Sequence, residues 1–430
     1  MSGIRFTSQF CFCPNFFAAD TYQGCEHSCK YCFSYWGSLC NASWVKSGKK
    51  FVEPMPLKGG ANTVRNILNA ERDNTKLGLQ DTRLKTAMDL RMPLHIGGLS
   101  DPFQPRERTS LQTYELLKAL KEFNYPFVLS TKNVLAGEYL DLLEGSVLQV
   151  SLIGFNDKVK ALEPRASTPE ERLELIRLAK KEGIHTVVRL QPFIPDLLDS
   201  EELDEYFKNI AWSRANSVTV EFFKMMTFVR TNPVMKEISK ILGYDIVDRL
   251  SRNGTPGSSD SEFSSAFKLP LMNRLRAFAD KYLIGFYSAD NSLRVLGDGP
   301  VCCGYPEDFF DSKYRAYGNR APFIAKARSK VTFFDIYDDV PDVLAFRDVG
   351  GFLNVQSDNK FFTNTCFFDF IRESWNSLTH PNNPAKFFAN LIFTGETDNR
   401  FNIYYHDKDW QEKLLGRTNL FKFAEKVEKL

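Results

Sequence analysis

Pro93-Leu94-His95-Ile96-Gly97-Gly98-Leu99-Ser100-Asp101-Pro102 runs from a short apolar stretch into a glycine turn, and residues 111–122 follow with apolar positions at helical spacing. A strand, a tight turn and an amphipathic helix in that order read as one βα unit. The pattern recurs downstream. Residues 127–129, 147–151, 186–190 and 217–221 read as buried strands, with helical patterns between them. The clearest helix is predicted over 168–181, where Thr168 offers a cap to free N–H groups, Pro169 suits the first turn and Gly183 follows the end. Strands alternating with helices predict an α/β fold with a parallel sheet. Past Glu221 the pattern loosens, and the polar, turn-rich stretch from Arg252 predicts a mobile loop over about 252–264. A helix over 265–281 and a strand over 282–287 then resume the repeat. From about Gly304 the alternation stops, and a Phe-rich tail follows, with helical stretches at 369–378 and 410–430. These shifts divide the chain into 1–300 and an added C-terminal subdomain, 301–430.

The 430 residues are 43% hydrophobic and 25% charged, a soluble globular composition with room for roughly two to three domain-sized cores. Lysine and arginine number 55 against 53 acidic residues, so the surface as a whole is not a nucleic-acid glove. Local basic patches remain open. No apolar run approaches the roughly 18 residues that cross a bilayer, and the start of the chain has no signal-peptide pattern. A cytoplasmic protein with no membrane role is expected.

Nine cysteines stand at positions 11, 13, 25, 29, 32, 40, 302, 303 and 366. An odd number, clustered, without a secretion signal, argues for ligation or redox chemistry over disulfides. Gly24-Cys25-Glu26-His27-Ser28-Cys29-Lys30-Tyr31-Cys32-Phe33 places three thiols within one short loop, at the spacing Cys-x3-Cys-x2-Cys. Three thiolates on a cubane iron–sulfur cluster leave one iron open to a substrate. A structural zinc site with His27 as fourth ligand is the alternative.

This motif resembles the radical S-adenosylmethionine superfamily, in which Cys25, Cys29 and Cys32 would ligate a [4Fe-4S] cluster within a loop at about 22–36. The resemblance implies a partial (β/α)6 TIM-like barrel of the radical SAM type over residues 1–300, with S-adenosylmethionine bound at the carboxyl ends of its strands. It also implies reductive cleavage of that cofactor to a 5′-deoxyadenosyl radical, driven by an external electron donor such as a flavodoxin or ferredoxin. Gly97, Gly98, Ser100 and Asp101 stand where the family holds the cofactor's amino group, and Tyr31 would pack near its adenine. Thr131, Lys132, Ser151 and Arg189 stand at the next strand ends, where the family contacts ribose and carboxylate.

More narrowly, residues 22–33, 99–107, 129–132, Ser151 and Leu162-Glu163-Pro164-Arg165 resemble the spore photoproduct lyase-like branch, whose founding enzyme reverses a thymine lesion in DNA. That enzyme has tyrosine where Phe33 stands here. It uses a thiol hydrogen donor between the two motifs, for which Cys40 is the available residue; Tyr31 and Cys40 are therefore the candidate catalytic groups.

Cys11, Cys13, Cys302 and Cys303 are candidate ligands of a second metal, or free thiols, and Cys366 reads as core packing. Lys313, Arg315, Tyr317, Arg320, Phe323, Lys326, Arg328 and Lys330 interleave cations with aromatics, a pattern that suits nucleic acid as well as a solvated face. Three readings stay open: a radical enzyme acting on a nucleic-acid base, by lesion repair or base modification; the same chemistry on a peptide or small molecule, with an auxiliary cluster; and a non-catalytic, metal-stabilised binding protein.

Overall fold

A computed structural model describes residues 3–7, 13, 15–40, 45–70, 79–254, 260–314, 317–340, 366–380 and 382–407. Seven strands run parallel in one sheet: Phe17–Ala19, Leu94–Ile96, Phe127–Thr131, Val147–Ser151, His185–Phe193, Ser217–Phe222 and Gly285–Ser288. Ile4–Phe6 adds an antiparallel strand beside the first of them. The two edge strands are not bonded to each other, so the sheet is an open, partial barrel.

The strands sort their side chains by the two-residue period. Leu129, Leu148, Val150, Val188, Leu190, Val218 and Val220 are buried in the main apolar core. The alternate positions His95, Ser130, Gln149, Arg189 and Thr219 form a polar inner face, bonded to one another and to the chain crossing that face. Register sets Ser130 beside Gln149, Ser151 beside Arg189, and Arg189 beside Thr219.

Helices form where the caps predict. Pro169–Lys181 begins with a Thr168/Glu171 capping box, and Gly183 beyond its end has φ +75. Ser265–Lys281 is capped by Ser264. Three stretches show more than the sequence pattern did. Of the stretch expected as a mobile loop, 255–259 lie outside the described residues, and past them Asp260–Glu262 is a strand paired with Lys224–Met226 and followed by the buried Phe263. The tail is not merely irregular and helical: Lys330–Val331, Leu391–Thr397 and Ile403–Asp407 form an antiparallel sheet against which Phe367–Asn376 packs its Trp375. Residues 410–430 lie outside the described residues.

The third stretch lies just past residue 300. The segment after Gly285–Ser288 turns back across the polar inner face, where Val301, Tyr305 and Phe310 pack on Val128, Val147 and Val187. Gln149 Nε2 donates to Cys303 O at 2.7 Å, Thr219 to Cys302 O, and Ser217 to Gly304 O. The barrel interior thus extends through Phe310. Among the described residues, no helix is long and apolar enough to cross a membrane.

Candidate functional site

A cavity of about 1430 Å³ opens over the inner face of the sheet. It exceeds the roughly 300–1,000 Å³ of an ordinary small-molecule site, enough for a cofactor and part of a substrate. Cys25, Cys29, Tyr31 and Cys32 line it, as do Gly97, Gly98, Ser100, Asp101, Thr131, Lys132, Ser151 and Arg189. Of the predicted site residues, Cys40 alone is not among the lining groups; its backbone ends the helix Phe33–Cys40, and its side chain lies outside the described residues.

The cysteine loop is tied down from several sides. Cys25 N donates to Phe51 O at 2.8 Å, Lys30 N to Leu162 O at 2.9 Å, and Glu26 N to Gln104 Oε1 at 2.9 Å. Burial pushes all three thiols up, to about 12 at Cys25, while the Lys132 ammonium pulls Cys29 and Cys32 back down. Bound iron is what would hold them as thiolates. Among the described residues, no group of three His, Cys, Asp or Glu side chains is placed to hold a metal ion. A cubane asks something different, since its thiolates sit on separate irons. Three thiols on one braced loop, opening into a cavity of this size, fit that demand.

Asp101 is the hub between the loop and the strand ends. Its Oδ1 accepts from Phe103 N and Thr131 Oγ1, its Oδ2 accepts from Lys132 N at 2.6 Å, and His27 Nε2 lies 3.2 Å away. Burial pushes this carboxyl up, yet His27 and these donors outweigh it and hold the group below its usual range. Asp101 and Thr131 therefore brace the site, their polar atoms already bonded to protein. Ser100 is likewise anchored, donating to Tyr22 O at 2.8 Å. Gly97, at φ +91, is where a Cβ would come 2.4 Å from Ser130 O, so only glycine lets the two strand ends approach this closely.

Two buried residues outside the predicted set stand behind the wall. Tyr31 donates to Glu163, and Glu163 pairs with Arg172 at 2.6 Å, both side chains 1% exposed. Arg172 Nη1 also donates to Ser151 O at 2.7 Å, joining the strand end to the tyrosine. Glu163 had a signal in the Leu162–Arg165 stretch. Arg172 had none, because its helix reads as solvated at the charged positions. Lys132 Nζ sits 5.8 Å over the Tyr31 ring. Among the described residues Arg189 pairs with no carboxylate; Ser130 accepts from it at 2.7 Å and Gln191 caps its other side.

The cation-rich stretch 313–330 does not join the cavity. Tyr314 is buried edge-on to Phe16, Arg320 pairs with Glu307, Arg328 with Asp335, and Lys330 with Glu396. That segment is a salt-bridged face. Arg315 and the Tyr317 side chain lie outside the described residues. Cys366 caps the helix Phe367–Asn376 and is partly exposed.

Comparison with known proteins falls on the same region. The model of the Radical SAM superfamily matches residues 20–207. An uncharacterized protein of Mycobacterium tuberculosis is 26% identical over 215 residues, 48% of this chain and 58% of the relative. The chain thus spans little more than half the length of that relative. A radical SAM Nα-GlyT isomerase of Pseudomonas phage M6 is 25% identical over 132 residues, 30% of this chain and 28% of that one. Among solved structures, a spore photoproduct lyase variant superimposes with a TM-score of 0.44 at 16% identity, over 64% of this chain and 76% of that one. Residues 20–207 of this chain match the model of the radical SAM superfamily, a class of enzymes that use a [4Fe-4S] cluster and S-adenosylmethionine.

Proposed function

We propose that the chain is a radical SAM enzyme acting on a nucleic-acid base, either repairing a pyrimidine lesion or modifying a base. The observation that carries this reading is the cavity wall. Eight lysines and arginines line it against four aspartates and glutamates, together with Trp36, Phe33, Phe223 and Phe387. A surplus of cations with aromatic faces suits a phosphate-bearing substrate whose base enters the cavity. A base in duplex reaches such a depth only when flipped out of the stack. The match to the phage isomerase and the likeness in fold to spore photoproduct lyase agree with the chemistry and leave the substrate open.

When bound, the cluster and S-adenosylmethionine supply an electron, from an external reductant, and a 5′-deoxyadenosyl radical for hydrogen abstraction. The chain's part is to hold, orient and exclude. Cys25, Cys29 and Cys32 are the ligands assigned to the cluster. The backbone at Gly97 and Gly98 would face the cofactor's amino group, and Lys132 and Arg189 would supply cations for its carboxylate. Tyr31, fixed by Glu163, offers a ring face to adenine. Asp101 keeps loop and strands in register, so that the reacting atoms meet in one geometry.

The test is label transfer. Reduced, anaerobic enzyme with S-adenosylmethionine and DNA carrying deuterated thymine lesions should yield deuterium in 5′-deoxyadenosine and a changed lesion. Unlabelled 5′-deoxyadenosine, formed at the same rate with or without DNA, would move the substrate to a peptide or small molecule.

A further inference from the structure

Asn15, Arg5 and Arg294 bring buried, unpaired N–H groups to one cavity. Arg5 stands on the edge strand Ile4–Phe6, opposite Ala18; its Nη2 pairs with Asp20 at 2.7 Å, while its Nη1 is buried without a partner. Asn15 lies in the turn before Phe17–Ala19 and is 1% exposed. Its Oδ1 accepts from the Tyr305 hydroxyl at 2.8 Å, and its Nδ2 has no acceptor. Arg294 follows the opposite edge strand, Gly285–Ser288, in the short helix Asn291–Leu296, and is 3% exposed. Its Nη2 donates to Asn291, but Nε and Nη1 donate to nothing, and among the described residues it pairs with no carboxylate. A Cβ on Gly297 would lie 3.2 Å from Tyr287 Cα, so this segment folds back beside its own strand. Both edges of the open sheet therefore deliver an arginine to the same cavity.

The backbone crossing the cavity floor does not answer these donors. The carbonyls of Cys302 and Cys303 are already taken by Thr219 and Gln149, and a thiol is a weak acceptor. Cys13 and Cys303 pack against apolar clusters, and Cys11 lies outside the described residues. Among the described residues, no buried side-chain oxygen on the cavity wall lacks a partner, so what the wall is short of is acceptors. Water would accept from the N–H groups but leave a buried guanidinium charge uncompensated, which is strongly unfavourable. An oxyanion supplies both acceptor and counter-charge, and the planar guanidinium fork matches the oxygens of a phosphate or a carboxylate. We propose that Arg294, Asn15 and Arg5 form an oxyanion subsite between the sheet's two open edges, which takes a phosphate or carboxylate group of the substrate. Lys132 and Arg189, on the middle strands, are left to the cofactor's carboxylate. The subsite serves a nucleotide or an organic acid alike, so it does not rest on the nucleic-acid reading above.

Anion binding tests it without turnover. Inorganic phosphate and acetate are titrated calorimetrically into the full chain, kept anaerobic, with circular dichroism as the check on folding. Saturable binding is expected, tighter for phosphate if the substrate's group is a phosphate and for acetate if it is a carboxylate. Arg294→Gln should weaken it about tenfold or more, through the loss of charge-assisted hydrogen bonds. Asn15→Asp keeps an acceptor for Tyr305 but turns a negative charge on the anion, and should abolish binding; it decides the matter if Arg294→Gln does not fold. Lys132→Met should leave the binding unchanged. The same anion should raise the melting temperature of the wild-type chain and not that of the Asn15→Asp chain. No saturable binding, equal binding in a folded Arg294→Gln or Asn15→Asp chain, or loss in Lys132→Met alone would overturn the assignment, the last by placing the anion in the cofactor's site.

Discussion

Glu163 and Arg172 form an ion pair with no water to share the charge, each side chain being 1% exposed. Burial pushes the Glu163 carboxyl up, and Arg172, Lys132 and the Tyr31 hydroxyl together hold it below its usual range. Removing one partner strands the other, so Glu163→Ala should cost about 3–5 kcal/mol in urea unfolding. The Glu163→Ala/Arg172→Met double variant should recover much of that loss; additive losses would mean that the pair is not coupled. His95 makes a second prediction. Burial first, then Arg189 and Arg5, depress its imidazole from 6.5 to about 3. Below pH 6.5 the unfolded chain takes up a proton that the folded chain refuses, so stability is full above 6.5 and declines as pH falls toward 3. Urea midpoints should therefore drop from pH 7 to pH 5, and drop less in His95→Asn. An equal slope in both would place the titration elsewhere. At this scale the sequence made the thiols legible, since three cysteines in eight residues have few other uses. Arg172 was hidden because a charged helical position looks the same whether solvent or Glu163 receives it.

Among elements, the turn after Leu94–Ile96 offers the sharpest contrast. A Cβ on Gly97 would lie 2.4 Å from Ser130 O and 2.9 Å from Pro102 Cδ, with φ at +91, whereas one on Gly98 meets nothing closer than Arg5 Nη2 at 3.8 Å. Gly97→Ala should lower stability by about 1–2 kcal/mol or more, and with it the affinity for S-adenosylmethionine; Gly98→Ala should leave the unfolding midpoint near wild type. Thermal melts and equilibrium dialysis read both, and equal effects would contradict the packing described. The βα repeat was legible because Val-, Leu- and Ile-rich strands between capped helices have two clear periods. Phe17–Ala19 was not, being three residues long, and neither was the sheet in the tail. Its strands of two to seven residues carry aromatic and polar groups without clean alternation.

For the whole molecule, one apolar core runs from Ile4 through the strands to Phe370, Trp375 and Tyr405. The tail is thus part of the barrel's own stability, a long-range relation that no local pattern in the chain encodes. Trp375→Ala should cost about 3–5 kcal/mol. Far-ultraviolet circular dichroism and aromatic fluorescence should still report one transition, whereas two separated transitions would make the tail an independent unit. The central claim, that this barrel performs radical chemistry from the Cys25–Cys32 loop, has one direct test. Anaerobically reconstituted, dithionite-reduced protein is incubated with S-adenosylmethionine, and 5′-deoxyadenosine is quantified by chromatography beside the Cys29→Ala variant. The account predicts 5′-deoxyadenosine from the wild-type chain and none above background from the variant; a wild-type chain that binds zinc and leaves S-adenosylmethionine intact would contradict it.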